Sequence, residues 1–163
     1  INLPDPAAAI REFARVATDR VAAIEPDNGA VRVESTVDRE AALAARARER
    51  YLDGIGTDVT LGADAADLLR EAGLSAVTVD RYDHERTVAP PYSDAAVEAA
   101  RRKVTGAAID DDRATMAGSP DAIDDLRADW RAMGRDVIAQ MQADEYHRHE
   151  VVPFFVTVGS VPE

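Results

Sequence analysis

Three groups of residues have types and spacings that could do chemistry. Glu25, Asp27 and Asn28 stand where a short apolar run, RVAAIEPDN (20–28), stops. In open α/β sheets ligands bind outside the carboxyl ends of strands, so a carboxylate there could take a proton from a substrate or hold an amine. The plain alternative is a loop acid that caps the next element. Tyr82, Asp83 and His84 follow a second strand-like run and could face the same opening, with His84 as a base near neutral pH; a histidine in a polar surface loop is the alternative. His147 and His149 form an H-x-H, a spacing that puts both rings on one face of a strand, as a metal pair needs. No third ligand lies near them in sequence, so no metal site is expected.

Aromatic and basic residues complete the set. Trp130 falls mid-helix on an apolar stripe, a place for core or lid packing first and for an aromatic substrate wall second. Tyr51 and Tyr92 flank loops and could line a pocket. Arg101-Arg102-Lys103 is the only basic cluster; it reads as a solvated helix face that could also hold a carboxylate substrate.

The elements that must position these residues follow from pattern. Pro6 suits a first helical turn, and Ile10, Phe13 and Ala14 share a face, which predicts a helix over 7–16. Val21 to Ile24 is a continuous apolar run, which predicts a strand buried on both faces. Leu43, Ala47 and Tyr51 mark a helix over 38–52, the glycine-containing 51–62 a loop, and 64–72 a short helix ended by Gly73. Residues 76–81 alternate, which predicts a half-exposed or edge strand. Ala89-Pro90-Pro91-Tyr92 is a stiff connector. Ser93 caps a helix that carries Val97, Ala100 and Val104 inward and closes at Gly106. Asp110–Asp112 reads as a solvated loop. Ser119-Pro120 opens the longest helix, with Ile123, Leu126, Trp130, Val137 and Met141 as its stripe. Residues 151–158 are the most strand-like, with Pro153 expected near the strand's start or at a bulge.

Composition bounds the partners. The 163 residues suffice for one domain with a modest core. Thirty-one acidic against 19 basic side chains give a net charge of −12, which argues against nucleic acid or anionic lipid, since both need a basic surface. Lys103 is the only lysine. High acid content with almost no lysine resembles the surface of proteins from salt-loving archaea, where dense carboxylates hold water and salt screens their repulsion; an acidic protein from a GC-rich genome is the alternative. Cysteine is absent, which excludes disulfides and thiolate chemistry. No apolar run is long enough to span a membrane and no secretion signal is visible, so a cytoplasmic location is expected. Ile1 in place of an initiating Met suggests a processed chain or a fragment.

Taken in order, NLPDP (2–6), the helix to Val16, the strand ending at Glu25, EAGL (71–74), SAVTVDRY (75–82) and FFVTVG (154–159) resemble the C-terminal half of a class I S-adenosylmethionine-dependent methyltransferase. The family sheet runs 3-2-1-4-5-7-6. The resemblance implies an α/β fold in which this chain supplies strands 5, 7 and 6 of a partial Rossmann-like sheet, with residues 93–143 as a helical insert or lid. It places Asn2 just after the fourth strand, where family members touch the cofactor. It implies an acceptor pocket built from Glu25, Asp27, Asn28, Tyr51, Tyr82, His84, Tyr92 and Trp130, and a small-molecule substrate.

Two departures matter. The family's glycine-bearing turn before the fifth strand is replaced by ATDR (17–20), which implies a shortened or strained turn. The glycine-rich loop and the acid that grips the ribose are not in this sequence; Gly54-x-Gly56 follows no strand and opens no helix. S-adenosylmethionine would therefore be bound mainly by residues outside this chain, and the isolated chain is expected to be inactive. Strand 5 would leave an apolar edge open, so a second copy or a missing N-terminal half is the expected partner. A second reading is a non-enzymatic interaction module that kept the fold's remnant and dimerises through that edge. A third is a different Rossmann-like enzyme using a nicotinamide cofactor.

Overall fold

The computed structural model describes residues 3–162. In chain order the elements are α1 (Pro6–Val16), β1 (Arg20–Pro26), a 3-10 turn (Asn28–Ala30), β2 (Arg32–Ser35), α2 (Glu40–Gly54), a second 3-10 turn (Gly62–Asp64), α3 (Ala65–Glu71), β3 (Ser75–Val88), α4 (Asp94–Thr105), α5 (Ala107–Asp112), α6 (Pro120–Gln142) and β4 (Arg148–Ser160). The fold is mixed α/β with one open four-stranded sheet: β4 pairs antiparallel with β1 and with β2, and β3 pairs with β4. The chain divides into two compact units. One comprises residues through Val31, Gly56–His84 and Val152 onward; the other comprises Arg32–Ile55 and Glu85–Val151.

In the first unit, the Asp5 carboxylate accepts from the Ala8 N–H at 2.8 Å and Pro6 occupies the first turn, which starts α1. Ile10 of α1 and Leu69 of α3 then meet Val21 of β1 and Leu74 in a small core. The helix ends without glycine: Ala17 is in ordinary extended backbone and its N–H returns to the Phe13 carbonyl at 2.9 Å. The turn is short, as expected, but it carries no left-handed residue and no strain.

Strand β1 corrects the expectation of burial on both faces. Val21 is buried, yet Ala22 and Ile24 are exposed, Ile24 at 64 %. Helices α1 and α3 pack on β1 and cover only one of its faces. The second strand of the sequence reading is also longer than expected, so Tyr82, Asp83 and His84 lie within β3 rather than after it. Pro153 is the sixth residue of β4, not near its start. Pairing with β1 begins at Phe154, so the missing N–H falls outside that ladder, while the Pro153 carbonyl accepts from the Asp27 N–H at 2.9 Å.

The second unit is helical around one core of Leu43, Ala100, Ile109, Leu126, Met133 and Val137, with α4 and α6 as its principal packed pair. The Ser93 hydroxyl caps α4 at the Ala96 N–H and Ser119 caps α6 at the Ala122 N–H, both at 3.2 Å. Gly106 ends α4 at φ +82, a left-handed conformation that glycine adopts without cost. The α6 stripe buries Ile123, Leu126, Val137 and Met141 as expected, and adds Met133 and Gly134; Trp130 is half-buried against the same core. Asp110–Asp112 form part of α5 instead of a loop. The short strand β2, which four residues of sequence did not signal, pairs Arg32–Ser35 with Val151–Arg148. Ser119→Ala removes the α6 cap and is expected to lower stability by about 1 kcal/mol, read as a shift in urea midpoint; an unchanged midpoint would mean the cap is redundant with Pro120.

Candidate functional site

The second unit holds a buried polar cluster centred on Glu40, whose side chain is 1 % exposed. Its position follows from helix geometry: residues 40, 43 and 47 share the buried face of α2, so a carboxylate enters the core beside Leu43 and Ala47. A buried carboxylate must be paired and hydrogen-bonded, and Glu40 is. Lys103 Nζ of α4 donates to Oε1, the Ser35 hydroxyl donates to Oε2 at 2.6 Å, and the Tyr146 hydroxyl lies 3.0 and 2.9 Å from the two oxygens. Arg148 Nε stands 3.4 Å from Oε1. Ser35 in turn accepts from the Val37 N–H at 3.0 Å, which fixes its hydroxyl as a donor to Glu40.

Burial works against the Glu40 carboxylate, but Lys103, Ser35 and Tyr146 together outweigh it and hold its pKa below the ordinary value. Burial is also the largest influence on Lys103 and lowers its pKa, with Glu40 opposing. Tyr146 is pushed strongly upward by burial and by the adjacent carboxylate, so its hydroxyl stays protonated and donates. Its backbone is held by Tyr92, whose hydroxyl donates to the Tyr146 carbonyl at 3.1 Å and accepts from the Tyr146 N–H at 3.0 Å.

Lys103, Tyr146 and Arg148 also line a cleft of about 580 Å³. Arg86 and Glu150 complete its charged lining, and alanines 95, 96, 99 and 100 of α4 give it an apolar wall. Glu150 is 2.6 Å from Arg148 and 3.5 Å from Arg86. Chemically this arrangement of cations could hold an anion. Glu40 is occupied by donors and is a poor base, and Tyr146 does not release its proton.

Most of the sequence-predicted residues lie elsewhere. Glu25 is inside β1, not beyond it. Asp27 Oδ1 accepts from the N–H groups of Gly29 and Ala30 at 2.9 and 3.1 Å, and Asn28 Nδ2 donates to the Val59 carbonyl at 2.6 Å, so both lock the loop after β1. Tyr82 is exposed in β3. His84 packs its ring edge-on to Phe154 with centroids 6.2 Å apart. Tyr51 is a half-buried residue of α2. Trp130 packs on the helical core, with its buried Nε1 unpartnered. Asn2 lies outside the described residues. Two sequence candidates belong to the Glu40 cluster: Tyr92 fixes Tyr146, and Lys103 of the basic run is mostly buried against Glu40 instead of lying on a solvated helix face. His149 meets Glu85 at 3.3 Å, and His147 is exposed with its N–H on Thr36 Oγ1; among the described residues no group of three His, Asp or Glu is placed to hold a metal.

Sequence reasoning missed Glu40, Tyr146 and Arg148. The signal for Glu40 was its spacing with Leu43 and Ala47, and the signal for Lys103 was that the chain spends its single lysine there. Among the described residues no helix is long and apolar enough to cross a membrane. No protein-family model matches the chain, and no curated protein matches it.

Proposed function

We propose that this chain is the acceptor-side portion of a class I S-adenosylmethionine-dependent methyltransferase that acts on a small molecule. One observation carries the reading. In the first unit, Ser160 of β4 is the register partner of Arg20 in β1, and its carbonyl accepts from the Ser75 hydroxyl of β3 at 3.3 Å. β1 and β3 thus meet β4 at the same level, and because a strand has two edges they take opposite ones. The resulting order β1-β4-β3, with the last strand in the middle, is the order in which strands 5, 7 and 6 stand in that family.

A second observation agrees. β1 is the terminal strand of its sheet, and exposed Ile24 is accompanied by exposed Phe13 and Val16 on α1. An open edge with apolar neighbours suits a sheet that continues into further polypeptide. The same edge would serve a module that dimerises without catalysis, the second reading; a dimer that takes up no cofactor would favour it.

The described residues do not fit a donor site. Gly54-x-Gly56 ends α2 instead of following a strand, so on this reading the nucleoside is held by residues outside this chain. What this chain contributes is the acceptor: binding it, excluding water and fixing its approach, which is most of what transfer from an activated sulfonium requires. The complete encoded protein is expected to move label from methyl-tritiated S-adenosylmethionine into an added small-molecule extract, and the 163-residue chain alone is not. Transfer by the chain alone, or none by the complete protein, would overturn the proposal.

A further inference from the structure

We propose that the cleft beside Lys103 binds a small-molecule carboxylate, with its anionic head against Lys103 and Arg148 and its apolar body along the alanine wall of α4. Naming that carboxylate as the methyl acceptor rests on the methyltransferase reading; the binding itself does not.

The charge around the cleft runs against the rest of the chain. A protein of net charge −12 gathers three cations, Arg86, Lys103 and Arg148, on one lining. Glu150 lies between two of them and Glu40 sits behind the third, which leaves a surplus of one positive charge on the lining. A monoanion completes the balance.

Donor capacity is also left over. An ammonium has three N–H groups. Glu40 and the Tyr146 oxygen, the latter at 3.3 Å, take two of those on Lys103. Arg148 Nε is buried and has no hydrogen-bond partner, since its approach to Glu40 is close enough for ion pairing but makes no hydrogen bond. That nitrogen is enclosed and faces Glu40, so the donor left for a ligand is the third N–H of Lys103. Both side chains are mostly buried, Lys103 at 16 % and Arg148 at 17 % exposed, so their attraction for an anion is little screened by salt. The four alanines leave room rather than fill it, and a volume of about 580 Å³ is within the range that takes a ligand of one or two rings.

The test compares 1-naphthoate with its uncharged isostere 1-naphthamide, each titrated into the 15N-labelled protein in KCl and followed by amide shifts. Naphthoate is expected to saturate shifts in residues 86–103 and 146–150 and to bind about tenfold tighter than the amide, the difference expected of one charge-assisted contact. In the double variant Glu40→Gln/Lys103→Met, which removes the buried pair without stranding either charge, that preference is expected to shrink to about twofold, with the remaining spectrum unchanged. Should that variant fail to fold, Arg86→Gln, on an exposed side chain, is expected to reduce naphthoate affinity about threefold and leave the amide alone. Equal affinity for acid and amide, shifts centred elsewhere, or no saturable binding would overturn the proposal. Carboxylate binding at the cleft in a protein whose complete form takes up no S-adenosylmethionine would keep the site and remove its role as acceptor pocket. Cofactor uptake without the carboxylate preference would do the reverse.

Discussion

Lys103→Met lowers stability by about 3 kcal/mol, although methionine fills nearly the same volume, because it leaves the Glu40 carboxylate buried without its principal counter-charge. Adding Glu40→Gln to that variant restores most of the loss, since an amide of the same shape can still accept from Ser35 and Tyr146. Urea midpoints at fixed KCl for the two single variants and the double variant read the coupling directly. A double variant no more stable than Lys103→Met would mean that the cluster is held by packing and not by the pair. The pH dependence has a fixed sign. The folded pKa of Glu40 lies below its ordinary value of 4.5, so its contribution is fully present above that value and is lost as pH falls through the folded pKa. Glu40→Gln therefore flattens the acid limb of the stability profile.

Gly134→Ala should destabilise by about 3 kcal/mol, against the gain of about 1 kcal/mol that helix propensity alone assigns to alanine in a helix interior. A Cβ at this position would stand 2.6 Å from the backbone carbonyl carbon of Lys103 and 2.6 Å from the Val104 nitrogen. Those atoms belong to α4, so relief requires moving one helix against the other and disturbing Leu126, Met133 and Val137 between them. Because Lys103 is on the displaced backbone, the carboxylate preference of the cleft should weaken as well. A raised urea midpoint for Gly134→Ala would show that α4 and α6 are not in backbone contact there.

Much of the fold was legible because caps and stops announce it. Ser93, Gly106 and Ser119-Pro120 bracket α4 and α6 in sequence as they do in space. What was not legible depends on partners far along the chain. β1 reads as doubly buried from its apolar run, but burial is decided by what packs on each face, and here one face is left bare. The polar residues after β1 read equally well as a site or as loop locks; Asp27 caps the turn that follows by accepting from the N–H groups of Gly29 and Ala30, and Asn28 donates to the carbonyl of Val59 far along the chain. At YHRHEV (146–151) the histidines drew attention, while the residues of the opposite parity, Tyr146, Arg148 and Glu150, line the cleft. Glu40 sits 106 residues from Tyr146 in sequence, and no local pattern joins them.

Titration of S-adenosylmethionine into the complete encoded protein, followed by calorimetry, bears most directly on the central claim. A saturable heat at one site per protein is the predicted result, with no heat for the 163-residue chain alone. No uptake by the complete protein would contradict the methyltransferase reading.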